Sequence, residues 1–308
     1  MKIIVTHTSP DWDAIGSVWL LKKYLSGWQD AAVRFVPAGQ RYGTSVGHSS
    51  SNEDDPIEIS GEDEVIHVDT GLGPLDHHQT SDRSVSGTSR VWDYVQSQVS
   101  KGGTSIKEEH AKAVSRIVKI IVDIDHFKEV FWADPAADYH EFSLLGLLDG
   151  LKLYKPDEDD YFVKFGIECL DSILHRFENR IWAEEEIANN GKKFKTKWGD
   201  GIGFETINDD VLKLSQKMGY SIVVRKDPRK GYVRIKARPT QEISNEQSNK
   251  MKDINLTLAY EKLSKIDPDA TWFLHVSKKM LLNGTPKNPK MIPTKMKLDD
   301  IIKVLELE

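Results

Sequence analysis

The sequence predicts an α/β protein of two lobes: a parallel sheet flanked by helices in residues 1–190, ending in a helical connector, and a smaller α+β domain in residues 191–308. Three observations predict this. Short β-branched runs alternate with stretches of helical period in the first half, the pattern of a parallel sheet. A long, charged, weakly apolar helical pattern follows at residues 160–189. Charge then changes sign: residues 1–190 hold 18 basic and 33 acidic side chains, net −15, and residues 191–308 hold 24 and 15, net +9. The overall −6 of this 308-residue chain is an average of two halves suited to different partners.

The strands of the first lobe are expected at residues 3–5, 33–36 and 65–68, and its first helix at residues 14–25. A polar stretch at residues 42–64, carrying Ser49-Ser50-Ser51-Asn52 and seven acidic residues, reads as a mobile surface insertion in which Ile57 and Ile59 can form a short edge strand. Further helices are expected at 88–99 and 107–125. In the basic lobe, residues 220–224 and 232–237 flank the turn Asp227-Pro228-Arg229-Lys230-Gly231 and predict a hairpin. A helix at 253–265, a strand at 272–276 and a closing helix at 298–307 complete the reading. The single cysteine, Cys169, excludes an internal disulfide framework and a thiolate zinc site. No apolar run approaches a membrane span, the N-terminal run is too short for a signal core, and the expected location is the cytoplasm.

Residues with metal-ligand chemistry concentrate at the expected strand ends. His7, Asp11 and Asp13 follow the first strand, Asp69 ends the third, and Asp76-His77-His78 comes shortly after it. Ligands of open α/β sheets bind at the carboxyl ends of strands, so one fold can gather all three groups. A mixed histidine and carboxylate set suits Mn²⁺ or Mg²⁺ better than a structural zinc, and Asp11 and Asp13 can address two neighbouring ions. Asp11 and Asp13 would also be favourable as ordinary helix N-terminal residues. Capping alone explains Thr88 and Ser89. No Walker loop and no GxGxxG fingerprint is present.

The blocks HTSPDWDAIGS, VDTG and LDHHQ resemble the first three motifs of the DHH phosphoesterases. With Gln79, the run Val122-Asp123-Ile124-Asp125-His126, the long helix after residue 158 and Trp272-Phe273-Leu274-His275-Val276-Ser277, the chain looks most like the melanocyte-proliferating-gene type of DHH exonuclease. The resemblance implies two divalent cations, Mn²⁺ preferred and Mg²⁺ the other option. His7 and Asp11 would hold one, Asp13 and His77 the other, and Asp69 would bridge them, with water between the ions as nucleophile. Asp69, His77 and His78 would be the catalytic residues, with His78 facing the substrate phosphate and Asp76 orienting its neighbours. The fourth motif supplies an aspartate to the second ion. The apolar stripe Val114, Ile117, Val118, Ile121, Ile124 favours Asp125, and Asp123, on the polar row with Lys112, Arg116 and Lys119, is the alternative.

Seven of the fourteen residues 225–238 are Arg or Lys. Arg225, Arg229, Arg234, Lys236 and Arg238 form the expected phosphate track, joined by His275, Asn283 and Gly284 where the family carries a glycine-rich substrate segment. A charged, solvated edge strand is the competing explanation of the hairpin. The expected function is a metal-dependent phosphodiesterase, a 3′-5′ exonuclease or oligoribonuclease acting on single-stranded RNA or short oligonucleotides. The alternative is a hydrolase of pyrophosphate, polyphosphate or cyclic dinucleotides on the same site, and a third reading is a nucleic-acid-binding module with an inactive centre. No membrane partner is expected, and a homodimer is compatible with the sequence.

Overall fold

A computed structural model describes residues 1–43, 55–102, 105–239 and 253–307. The protein is mixed α/β and divides into two compact units, Met1–Glu178 and Asn179–Glu308. Residues 44–54 of the polar stretch, with the serine run, lie outside the described residues.

In the first unit, β1 (Lys2–His7), β2 (Ala32–Val36), β3 (Ile57–Ser60) and β4 (Asp63–His67) form one sheet in the order β2-β1-β4-β3. β1 is parallel to β2 and β4, while β3 pairs antiparallel with β4. The sheet is therefore mixed, which corrects the all-parallel expectation. β3 and β4 are joined by a two-residue turn, Gly61-Glu62, with Gly61 at φ +64°, and so short a connection can only return the chain antiparallel. Ile3, Val5, Val36 and Val65 pack on one face of this sheet together with Tyr42.

Helix α1 (Trp12–Tyr24) is buried continuously from Trp12 to Leu21 because β1, α2 (Gly87–Lys101) and α3 (Glu108–Asp125) all pack against it. The apolar stripe of α3 is buried at Val114, Ile117, Val118, Ile121 and Val122. A 3-10 turn (Lys128–Phe131), α4 (Asp138–Glu141) and α5 (Leu144–Tyr154) follow, none of them anticipated. Helix α6 (Asp159–Asn189) occupies the expected connector position, and the division between units falls inside it. Its last turns are more than a linker, since Ala183 and Ile187 belong to the apolar core of the second unit.

That unit contains β5 (Lys192–Thr196), β6 (Gly199–Glu205), α7 (Asp210–Lys217), β7 (Ile222–Lys226), β8 (Val233–Ala237), α8 (Thr257–Ile266), β9 (Trp272–Leu274), β10 (Met280–Asn283) and α9 (Leu298–Glu306). The sheet order is β5-β6-β7-β8-β10-β9, with β6 and β7 parallel and every other pair antiparallel. Strand alternation puts Val233, Ile235 and Ala237 in one core with α8 and α9. Val223, Ile202 and Phe204 pack in a second core with α7 and the end of α6. The hairpin turn is held by Asp227, whose carboxylate accepts from Arg229 N at 2.8 Å and Lys230 N at 3.1 Å. No helix among the described residues is long and apolar enough to cross a membrane.

Candidate metal centre

Parallel pairing brings the ends of β1 and β4 side by side, and the loops leaving them carry the first two groups of candidate ligands. His7 is the last residue of β1, and its Nε2 lies 3.2 Å from Asp69 Oδ2, while Nδ1 faces Thr8 O at 2.9 Å. The Thr8 carbonyl can only accept, so Nδ1 carries the proton and Nε2 points at the carboxylates. Asp11 caps α1 through Asp13 N and Ala14 N, and its Oδ1 is 3.9 Å from His7 Nε2. Both loops contain residues in the left-handed region, Ser9 at φ +53° and Asp69 at φ +50°, conformations that only a well-supported loop sustains.

Asp13 is buried and held from the other side. Gly87 N and Thr88 N, at the start of α2, donate to its carboxylate at 2.6 and 2.8 Å, and the Thr88 hydroxyl donates to the Asp13 carbonyl at 2.8 Å. α2 has no acidic residue in its own first turn, and Asp13 supplies the side-chain acceptors that the free amides of a helix N-terminus need. Thr88 therefore does more than capping requires.

His77 completes the cluster. Its Nε2 is 3.4 Å from Asp69 Oδ1, 3.5 Å from Asp125 Oδ2 and 3.6 Å from Asp13 Oδ2. Asp76 is fully buried, accepts from Leu72 N at 2.7 Å and holds His78 Nδ1 at 2.7 Å. The His78 side chain remains 55% exposed. At the fourth motif the structure places Asp125 in the cluster, whereas Asp123 pairs with Lys119 at 2.8 Å and Lys128 at 2.9 Å. Among the described residues, three groups could each hold an ion: His7, Asp11 and Asp69; Asp69, His77 and His78; and His77, Asp125 and His126.

The polar bookkeeping fits a cation. Asp69 Oδ1, His77 Nε2 and Asp125 Oδ2 are buried atoms with no hydrogen-bond partner, and His77 Nε2 is within 3.5 Å of the other two. Buried polar atoms are rarely left unpaired, and three of them converging is the donor set a hard divalent ion needs. The charges of the cluster show the same tension. Burial and the neighbouring Asp69 charge push the Asp13 carboxyl well above the usual carboxylate range, and burial raises Asp125. Burial also opposes the ionised form of Asp69, but the hydrogen bond from His7 and the imidazole of His77 beside it hold it below the usual range. Burial alone would lower His7; the Asp69 hydrogen bond and the Asp11 charge outweigh it and raise it from 6.5 to about 9. The neighbouring Asp69 carboxylate likewise raises His77.

These shifts set a sign for stability against pH. Between pH 6.5 and about 9 the folded chain holds protons on His7, His77 and Asp13 that the unfolded chain has released, so stability falls as pH rises through that interval. The unfolding midpoint in chelator is expected to fall between pH 6.5 and 9; a midpoint that climbs over that interval contradicts this electrostatic account.

Two features at the cluster go beyond the expected ligand set. Gly87 and Thr88 cradle Asp13, and the available signal was a Ser-Gly-Thr helix start lacking its own acidic residue. His126 lies against the cluster, its Nε2 at 2.8 Å from Val85 O and 3.7 Å from Asp125 Oδ2.

In the second unit the expected substrate residues divide. Arg229 is exposed at the hairpin turn, and Lys236 and Arg238 are half-buried. His275 sits in a local turn, its Nδ1 2.8 Å from the Ser277 hydroxyl. Three placements correct the sequence reading. Arg225 is buried, its Nε 2.8 Å from Asp209 Oδ1 and its Nη1 donating to Thr206 O, so its charge is spent inside the unit. Asn283 is fully buried and donates to Thr271 O and Ile292 O while accepting from Thr294 N at 2.6 Å, which satisfies its amide within the fold. Gly284, at φ +76°, has the Tyr232 ring 2.2 Å from where a Cβ would stand, so its place is set by chain packing. Arg234 also pairs with Asp209.

No protein-family model matches the chain, and no curated protein matches it. Among solved structures, an uncharacterized protein from Helicobacter pylori G27 aligns over 100% of this chain and 98% of that one, at 12% identity and a TM-score of 0.23, a likeness too loose to carry a fold assignment.

Proposed function

We propose that the chain is a two-metal phosphodiesterase of the DHH kind, with the metal centre in its first unit, that removes nucleoside monophosphates from the 3′ end of RNA or short oligonucleotides. The observation that carries this reading is the convergence of unpartnered Asp69 Oδ1, His77 Nε2 and Asp125 Oδ2. His7 and Asp11 would hold one Mn²⁺, Asp13, His77 and Asp125 the other, and Asp69 would serve both. Bound there, the ions supply the positive charge that acidifies water and steadies the attacking and leaving oxygens.

The chain's own residues prepare that site. Gly87 N and Thr88 N fix the Asp13 carboxylate, and the left-handed turn at Asp69 sends its two oxygens towards different histidines. Asp76 accepts from His78 Nδ1 and orients the ring, so that its Nε2 edge would face the substrate. In the second unit, Arg229, Lys236 and Arg238 would hold the strand by its phosphates.

One observation favours the second reading, a hydrolase of pyrophosphate, polyphosphate or cyclic dinucleotides: Asp209 occupies two of the track's arginines, Arg225 and Arg234. A shortened track suits short substrates. Turnover of 3′-labelled oligonucleotides from the dinucleotide upward, with and without Mn²⁺ and beside pyrophosphate, tests both. Manganese-dependent release of mononucleotides is expected, fastest on the shortest chains. Release of phosphate from pyrophosphate alone would transfer the assignment to the second reading, and no turnover of these, of polyphosphate or of a cyclic dinucleotide would overturn both.

A further inference from the structure

We propose that His126 is a positioning residue that fixes Asp125 relative to Asp13, and so sets the half of the metal centre formed by Asp13, His77 and Asp125. This rests on the two-metal reading above. Asp125 is the last residue of α3, where a helix has lost its following turn, and its Oδ2 has no hydrogen-bond partner to hold it. Asp13, in contrast, is fixed by two backbone donors at the start of α2. The two carboxylates come from different helices, and a single ion needs their spacing defined to within about half an ångström.

His126 supplies that definition. It is the C-cap of α3, immediately after Asp125, and its Nε2 lies 2.8 Å from Val85 O. A carbonyl only accepts, so Nε2 carries the proton and donates. Val85 precedes Ser86, the N-cap of α2, and Ser86 precedes the Gly87 and Thr88 amides that grip Asp13. One hydrogen bond thus ties the end of the helix carrying Asp125 to the loop that positions Asp13. The His126 ring also stands edge-on to His77, centroids 5.8 Å apart and planes at 88°, and limits that ligand's tilt. His126 stands in one of the candidate groups, but the nitrogen 3.7 Å from Asp125 Oδ2 is the Nε2 that donates to Val85 O, and a nitrogen carrying a proton has no lone pair for an ion.

The test is direct titration of the chelator-treated protein with Mn²⁺, reading the number of ions bound and the dissociation constant of each, alongside the metal-free unfolding midpoint. The variants are His126→Ala, His126→Asn and His126→Gln. The glutamine amide nitrogen stands as many bonds from the backbone as Nε2 and keeps the donor, whereas the asparagine nitrogen stops one bond short. His126→Ala and His126→Asn are each expected to weaken one of the two ions by about 10- to 100-fold and to leave the other unchanged. His126→Gln is expected to restore the wild-type pair of constants. Asp125→Asn identifies which ion is affected and should weaken the same one.

Equal weakening of both ions, wild-type binding in the alanine and asparagine variants, or glutamine behaving like alanine overturns the proposal. So does a midpoint lowered alike in all three variants, which assigns His126 to stability alone. Wild-type protein that takes up fewer than two ions is a separate outcome: it overturns the two-metal reading itself, whatever the variants do.

Discussion

Asp69→Asn is expected to lower turnover by roughly a thousand-fold or more, a loss of about 4 kcal/mol of transition-state stabilisation, while the metal-free chain stays folded. Asp69 is the one carboxylate that faces both histidines, with Oδ2 at 3.2 Å from His7 Nε2 and Oδ1 at 3.4 Å from His77 Nε2. On the proposed reading it is shared by both ions, so its charge is needed twice. Asparagine is the informative substitution because Asp69 sits at φ +50°, a conformation asparagine tolerates and alanine does not. The amide oxygen can still accept from His7, and the backbone bond from Asp69 N to Leu75 O is untouched. Removing the charge also relieves Asp13, whose carboxyl is pushed up by burial first and by Asp69 second. His7 and His77 lose the carboxylate that holds their protons while Asp13 is relieved, so the two effects oppose and the unfolding midpoint in chelator should shift little, while Mn²⁺ uptake and turnover collapse together. A variant that keeps a tenth of the activity, or that binds two ions as tightly as wild type, would remove Asp69 from the centre.

The part of this centre that the sequence made legible is the part written in residue types. His7, Asp11, Asp13, Asp69 and Asp76-His77-His78 fall within two short stretches after β-branched runs, and parallel pairing of β1 with β4 needs no long-range information beyond those runs. Asp125 was legible for another reason. The 3.6-residue period of α3 carries Val114 through Ile121 into the core, and that period extended by four residues points to Asp125 rather than Asp123.

Where periodicity failed, so did the reading. α5 is apolar on every side, with Leu147, Leu153 and Tyr154 exposed and Leu148 buried, so no stripe announces it. β6 is a glycine-rich strand buried across its middle, which propensity argues against. Partner choice was also out of reach. An asparagine that satisfies backbone groups and one that binds a ligand offer the same donors and acceptors, so Asn283 read as a site residue until its three partners were seen. Arg225 and Arg234 read as a phosphate track because nothing in the sequence says that Asp209 folds back onto both.

Gly87 is a residue at which sequence and structure predict opposite signs. Helix propensity alone favours Gly87→Ala, since it lies inside the first turn of α2 and alanine is the better helix former. The structure predicts destabilisation. A Cβ there would stand 2.9 Å from Asp13 Oδ2, 3.0 Å from Asp69 Cβ and 3.3 Å from Asp69 Cα, contacts that a buried carboxylate and a backbone in the left-handed region cannot yield without moving. The expected cost is about 1–3 kcal/mol from overpacking. Because the same shift lengthens the bonds from Gly87 N and Thr88 N to Asp13, Mn²⁺ affinity should fall by about 10- to 100-fold. Gly150→Ala is the matched comparison: it lies in α5 with no heavy atom within 4 Å of its Cβ position, and there alanine should stabilise by up to about 1 kcal/mol. Unfolding midpoints in chelator and Mn²⁺ titrations of the two variants separate the accounts. If both substitutions stabilise and both proteins bind Mn²⁺ as wild type does, the close approach of α2 to the carboxylates has no role in holding the centre.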